Sequence, residues 1–271
     1  MIKVIFCDIS GTLLNSSGQI SNETLKSIKL LQEKCVKFVL CSGGSRVRTR
    51  ILAGNIGVDE YIISSNGADI FDIKNSKVIF SNYMNKQSIQ NIYNLVLNRD
   101  MFFTANCDNY MLVNKKRFNE EFEVLIDNFS LETISKKNIV QCIISGKDTT
   151  KSDFDFIEKA LLNDDNIEIA MKNINGNKTD INLIDSCYCD IIDKNTSKGN
   201  ASKQLLEYLG ILKEEALAIC DGKNDISLFE NVKYKIAMEN AIPEIKARAD
   251  YITESNNNDG VGRVLRQIIR M

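Results

Sequence analysis

The chain reads as an α/β protein, with a parallel-sheet core and an α+β unit inserted into it. Three observations predict this. Strand-like and helix-like segments alternate in the first third of the 271 residues and again in the last third, which is the βαβ pattern. The runs at 4–7 and 216–220 are almost continuously apolar, as strands covered on both faces are. The middle mixes amphipathic helices with several short extended runs, a composition that suits an α+β unit.

In chain order, residues 3–7 form the first strand. Ser21 caps a helix whose apolar stripe is Leu25, Ile28 and Leu31, since Ser at a helix start can accept an unpaired backbone N–H. Residues 36–41 form the next strand, 46–56 a helix, 61–64 an extended run, and Asn66-Gly67 a turn. In the middle, helices are expected over 86–98 and 153–162. Extended runs are expected at 102–104, 110–113, 139–144, 167–171 and 180–184. The alternating pattern then returns with a helix over 201–209, stopped by Gly210. After it come the strand before Asp221, a short helix from Ile226, a strand at 235–238 and a closing helix at 261–269. The junctions fall near 82–84 and 189–195, so residues 1–83 and 190–271 make the core and 84–189 the insertion.

Composition removes several function classes. A net charge of −2 offers nothing to nucleic acid or to an anionic membrane surface. No apolar run is long enough to span a bilayer and no signal peptide opens the chain, so a cytoplasmic protein is expected. Eight cysteines, none in a C-x-x-C pair and several inside strand-like runs, read as buried free thiols in a reducing compartment. There is no histidine. That excludes Ser-His-Asp and Cys-His nucleophile systems and Cys/His zinc sites, and leaves carboxylate, lysine, hydroxyl and metal chemistry.

Two carboxylate loops follow the two apolar runs: Asp8-Ile9-Ser10-Gly11-Thr12 and Asp221-Gly222-Lys223-Asn224-Asp225. Loops at the carboxyl ends of parallel strands are where ligands bind in open α/β sheets. An ionised Asp8 can bind Mg²⁺ through one oxygen and attack phosphorus with the other. Asp221 supplies a second hard oxygen, while Asn224 and Asp225 can hold metal-bound water or orient the loop and a lysine. Ordinary turn carboxylates are the alternative reading of either loop taken alone. Ser42-Gly43-Gly44 follows another strand and can cradle phosphate oxygens, although a flexible turn accounts for it equally well. Lys198 lies at a helix start, where a cation opposes the helix dipole. Its charge has a purpose there if it neutralises a phosphoryl group and Asp8; a solvated surface lysine is the alternative. Tyr110, Arg117 and Asp180 are polar residues of the insertion that can line a pocket or simply face water.

The ordered series Asp8-Ile9-Ser10-Gly11-Thr12-Leu13-Leu14, Ser42-Gly43, Asn66-Gly67-Ala68, Ser197-Lys198-Gly199, Asp221-Gly222-Lys223-Asn224-Asp225, Ala237-Met238-Glu239-Asn240-Ala241, Ala249-Asp250 and Asp259-Gly260-Val261 resembles the haloacid dehalogenase superfamily. More narrowly it resembles the Cof-type phosphatases, which act on sugar phosphates and other small phosphorylated metabolites. The resemblance implies a Rossmann-like core, a mobile inserted cap, Mg²⁺ as cofactor and a small phosphorylated metabolite as partner. It implies that Asp8 is the nucleophile forming an aspartyl-phosphate and that Ser42, Gly43, Lys198 and Asn224 bind the phosphoryl group. Asp8, the backbone carbonyl of Ser10 and Asp221 would hold Mg²⁺, supported by Asn224 and Asp225.

The chain departs from that pattern at Ser10, where the family carries the aspartate that protonates the leaving oxygen and then activates water. A serine hydroxyl is too weak an acid and base for this, and losing such assistance typically costs about 10²–10⁴ in rate. Gly44 stands where the subgroup commonly has arginine and Cys220 where it has glycine. Arg46 or Arg48 could take over the anchoring role, unless both are solvated helix residues. Two function classes follow: a phosphatase whose substrate needs little protonation or which turns over slowly, and a sensor that binds a phosphorylated metabolite without cleaving it.

Overall fold

The computed structural model of the protein describes residues 1–97, 99–116, 120–126, 129–146, 151–173 and 187–270. Its first strand, β1 (Val4–Asp8), is buried at every residue. α1 (Asn22–Glu33) begins where the Ser21 hydroxyl accepts the N–H of Thr24. Its buried face is Thr24, Ser27, Ile28 and Leu31, with Leu25 only half-buried. Small polar residues replace one member of the expected stripe because the closing helix packs closely here. Next come β2 (Lys37–Cys41), α2 (Arg46–Asn55) and β3 (Tyr61–Ser64). A 3-10 turn, Ser65–Gly67, leads into a hairpin of β4 (Asp69–Asp72) and β5 (Lys77–Ser81).

The middle of the chain supplies α3 (Lys86–Leu97), β6 (Phe102–Asn106), β7 (Met111–Val113) and β8 (Glu123–Leu125). It continues through α4 (Leu131–Ser135), β9 (Gln141–Gly146), α5 (Lys151–Leu161), β10 (Ile167–Asn173) and β11 (Cys187–Asp193). The strand expected at 180–184 lies outside the described residues. The last third gives α6 (Lys198–Leu209), closed by Gly210 in the left-handed region, then β12 (Ala216–Cys220) and α7 (Ile226–Glu230). It ends with β13 (Tyr234–Ala237), α8 (Pro243–Lys246), β14 (Tyr251–Ile252) and α9 (Gly260–Arg270), which packs on α1.

These strands form two sheets. The larger runs β14-β13-β12-β1-β2-β3-β4-β5, parallel as far as β3, with the β4–β5 hairpin added antiparallel at one edge. β1 is central, paired with β12 from the far end of the chain on one side and with β2 on the other. That pairing carries Asp8 and the loop after Cys220 to the same end of the sheet. The smaller sheet runs β10-β11-β9-β6-β7-β8 and is antiparallel except between β7 and β8. Each sheet has its own apolar core. β11 pairs with β9 from Cys187 to Ile192, so the smaller sheet continues past residue 189, where the insertion was expected to end.

None of the eight cysteines is in a disulfide, and all but Cys35 are buried. Among the described residues no helix is long and apolar enough to cross a membrane.

Candidate active site

Asp8 is the last residue of β1 and only 6% exposed. Behind it the chain turns at Gly11, whose φ of +77° lies in the left-handed region that favours glycine. A Cβ there would stand 2.2 Å from Asp221 Oδ2, so glycine lets the first loop meet the second. Thr12 Oγ1 donates to Asp221 Oδ1 at 2.9 Å and ties the two loops together. Asp8, Asp221 and Asp225 offer oxygens that all lie within 4.8 Å of one another.

Lys198 is the first residue of α6, and its side chain is fully buried. Its ammonium donates to Asp8 Oδ1 at 2.5 Å and to Asp225 Oδ1 at 2.6 Å. The surface-lysine alternative is therefore excluded. A buried ammonium facing the helix N-terminus is tolerated because two carboxylates neutralise it. Asp225 accepts the Gly222 N–H on its other oxygen at 3.1 Å, which fixes both the loop and the lysine.

Three carboxylates against one ammonium leave an excess of negative charge in a dry setting. Burial, followed by repulsion from Asp225, pushes Asp8 well above the usual carboxylate range despite the lysine beside it. Burial and then Asp225 push Asp221 up to about 7, with Thr12 and Lys198 opposing. Burial first, and the neighbouring carboxylates second, also raise the thiols of Cys7 and Cys220, so these cysteines stay neutral behind the site. A compact set of hard oxygen donors carrying excess charge is the kind of site that a small divalent cation relieves. The donor set fits Mg²⁺.

The remaining sequence-predicted residues are placed as follows. Ser10 is half-buried in the turn after Asp8 and forms an isolated bridge with Leu14. Ser42 follows β2, and its hydroxyl accepts the Gly44 N–H at 2.9 Å, turned into its own loop. Gly43 lies against Asn66, whose Oδ1 would be 3.1 Å from a Cβ at Gly43. Asn224 Nδ2 donates to that same Asn66 Oδ1 at 2.9 Å. Arg46 is not solvated: it is 3% exposed, held by both oxygens of Asp69 and 3.3 Å from Asp108. Arg48 pairs with Glu120 at 2.9 Å. Tyr110 is half-buried beneath the Lys137 ammonium. Arg117 and Asp180 lie outside the described residues.

Sequence reasoning missed three contributors. Thr12 sits inside the first carboxylate loop, so its hydroxyl could have been counted. Asn66 was read as a turn residue and as part of a family motif but given no role at the site, yet it is buried with φ +56° and its Nδ2 donates to Asp190 Oδ2 at 3.0 Å. Asp190 carried no signal, because its placement depends on the register of β11 in the smaller sheet.

A family model described as haloacid dehalogenase-like hydrolase matches residues 5–265 of the chain. The 5-amino-6-(5-phospho-D-ribitylamino)uracil phosphatase YcsE of Bacillus subtilis is 27% identical over 268 residues, covering 98% of this chain and 95% of that protein. YwtE of the same organism, which bears the same activity in its name, is 25% identical over 99% of this chain and 98% of its own length. A haloacid dehalogenase-like hydrolase from Bacteroides thetaiotaomicron has a solved structure that superposes with a TM-score of 0.83 at 22% identity, over 99% of this chain and 100% of that one. The match spans both carboxylate loops and the lysine between them in sequence, and the chain belongs to the haloacid dehalogenase-like hydrolases, a family with members named as phosphatases.

Proposed function

We propose that the protein is a Mg²⁺-dependent phosphatase acting on a small phosphorylated metabolite such as a sugar phosphate, by way of an aspartyl-phosphate on Asp8. The observation that carries this reading is the convergence of Asp8, Asp221, Asp225 and Lys198 at one end of the larger sheet. Lys198, in contact with Asp8, neutralises the incoming phosphoryl oxygens and opposes protonation of the attacking carboxylate. The Asp8 oxygen not needed for coordination attacks phosphorus; the P–O bond to the leaving group breaks, and water later cleaves the acyl phosphate. Mg²⁺, held by Asp8, Asp221 and the Ser10 carbonyl with Asp225 and Asn224 in support, would supply further charge neutralisation and fix the phosphoryl geometry. Ser42 and Gly43 receive the phosphoryl oxygens once the Ser42 hydroxyl turns out of its loop.

The smaller sheet serves as the cap over this site. The phosphorylated ribityl compound in the names of the two Bacillus subtilis relatives supports a substrate of that size. Because Ser10 supplies no acid, the enzyme works best on leaving groups that need little protonation.

With Mg²⁺ present, turnover of acetyl phosphate is compared with that of an alkyl sugar phosphate, in the native protein and in Ser10→Asp. A large preference for acetyl phosphate that collapses in the variant supports the reading. Asp8→Asn abolishes both activities. Negligible turnover throughout, together with saturable binding of the sugar phosphate, would make the protein a metabolite sensor instead.

A further inference from the structure

The two faces of the smaller sheet differ in chemistry. One face is apolar: Phe103, Ala105, Leu112, Cys142, Ile144, Cys187, Cys189 and Ile191 all join the core shared with the helices. Alternation along each strand sends Asn106, Gln141 and Asp190 to the opposite face. The register confirms that they share it, since Asn106 lies directly across from Gln141 and Asp190 directly across from Ile143. Gln141 and Ile143 are two residues apart on one strand, so Gln141 is a diagonal neighbour of Asp190, about 7–8 Å away.

This face looks at the site. Asp190 accepts from Asn66 of the larger sheet's domain, and Asn66 in turn accepts from Asn224 in the Asp221 loop. Strand β10 lies against the turn Lys223–Asp225, and Asp108, just beyond β6, reaches Arg46.

Asn106 and Gln141 are each fully buried, and Asn106 Nδ2 donates to Gln141 Oε1 at 2.7 Å. That bond leaves Asn106 Oδ1 and Gln141 Nε2 buried without a partner. Exchanging both amide orientations keeps the mutual bond and again leaves one acceptor and one donor outside it. Buried amide groups left unpaired are costly and are rare in folded proteins. Two side by side, on the face that covers a reaction site, mark a place where something else supplies the missing bonds. The strands β6, β7, β9 and β11 bear no lysine or arginine, and Asp190 adds a negative charge. A second phosphate or a carboxylate on the substrate would be repelled here.

We propose that Asn106 and Gln141 are the specificity-determining pair for the leaving group, and that they take an uncharged, polyhydroxylated group bearing a single phosphate. A hydroxyl both donates and accepts, so neighbouring hydroxyls of a sugar or polyol match one free carbonyl beside one free amide. The leaving group that also suits Ser10 is a sugar carrying its phosphate on the anomeric oxygen, since a hemiacetal hydroxyl is a stronger acid than an alkyl alcohol. The contacts between core and cap are polar, as at Arg46–Asp108, Arg48–Glu120 and Asn66–Asp190, so the cap can lift and rewet to admit such a molecule.

This inference rests on the phosphatase reading, and the test separates the two. Glucose 1-phosphate, glucose 1,6-bisphosphate and acetyl phosphate are compared with Mg²⁺ in the native enzyme, in Gln141→Met and in Asn106→Leu. The native enzyme prefers glucose 1-phosphate to the bisphosphate by about tenfold or more, the cost of placing a second anion near the Asp190 carboxylate on a face to which β6, β7, β9 and β11 contribute no lysine or arginine. Each variant loses about 10–100-fold in kcat/KM on glucose 1-phosphate, the usual penalty for stranding a buried polar partner. Acetyl phosphate, too small to reach the pair, keeps its native rate. Equal losses on both substrates would reduce the pair to a structural role, and no loss on either, or a preference for the bisphosphate, would overturn the assignment. If a variant fails to fold, the native ratio of mono- to bisphosphate still decides the matter. Absence of any Asp8-dependent acetyl phosphate turnover would remove the phosphatase reading itself.

Discussion

Gly11→Ala tests whether the two carboxylate loops act as one site. The added Cβ would lie 2.2 Å from Asp221 Oδ2 and 2.9 Å from its Cγ, whereas ordinary contact begins near 3.4 Å. Asp221 must therefore retreat by about 1.2 Å, or the first loop must shift by as much and carry Asp8 with it. The left-handed φ of +77° adds a backbone cost of about 1–2 kcal/mol for any residue with a Cβ. A misplacement of about 1 Å at a reacting centre typically costs about 10²-fold in rate. The variant should thus lose about 10²-fold in kcat, bind Mg²⁺ more weakly by calorimetry, and melt a few degrees lower. Gly54→Ala is the control: it lies in α2 with nothing within 4 Å of its Cβ, and should stabilise the fold by about 0.5–1 kcal/mol with unchanged activity. Native Mg²⁺ affinity and native kcat in Gly11→Ala would refute the shared site.

Lys198→Met strands two buried carboxylates, Asp8 and Asp225, and should lower the stability of the metal-free protein by about 3–5 kcal/mol. Added Mg²⁺ should recover part of that loss in a thermal melt; a variant as stable as the native protein without metal would contradict the charge assignment. Arg46→Met leaves Asp69, 1% exposed, without its cation and should cost about 3–5 kcal/mol in urea unfolding. The partly exposed Arg48–Glu120 pair should cost no more than about 1 kcal/mol when Arg48 becomes Met, and equal effects at the two sites would count against the burial argument. With Asp221 raised to about 7, the metal-free fold holds a proton between the usual carboxylate pKa and 7 that the unfolded chain lacks. Its stability contribution therefore falls as pH rises through that window. A cation needs the deprotonated group, so Mg²⁺ affinity should rise over the same window by up to tenfold per pH unit, about one proton's worth, and level off above it. Calorimetry at pH 5.5, 6.5 and 7.5 that shows no trend would oppose this.

The central strands were legible because burial on both faces demands unbroken apolar runs, and residues 4–7 and 216–220 could hardly be anything else. The loops after them followed from the general geometry of parallel sheets. What stayed hidden depended on partners distant in sequence. β4 and β5 were missed: Asp69 and Asp72 sit in an otherwise apolar strand, and the first of them is accounted for by Arg46, 23 residues earlier, together with the hydroxyls of Ser64 and Ser81. The junction expected near 189–195 overlaps β11, a strand from Cys187 to Asp193. Asp190 is a buried strand position whose carboxylate is satisfied by Asn66, 124 residues away. β8 and β14 are three- and two-residue edge strands, below the length at which periodicity carries information. At the site, the loops after the apolar runs and the family resemblance indicated which residues meet, with Asp225 among the groups able to orient a lysine, while the full burial of Lys198 required coordinates.

The central position of β1 has a consequence for how the molecule is made. One of its flanks is filled by β2, within reach of the first forty or so residues to leave the ribosome. The other stays a bare backbone edge until residues 216–220 have been synthesised, and such edges invite pairing with foreign strands. The intervening sheet has a self-contained interior and can fold while that edge waits. Nascent chains stalled before β12 would then expose an incomplete, adhesive half-sheet and no metal pocket, which makes late synthesis the interval when this protein most needs chaperones.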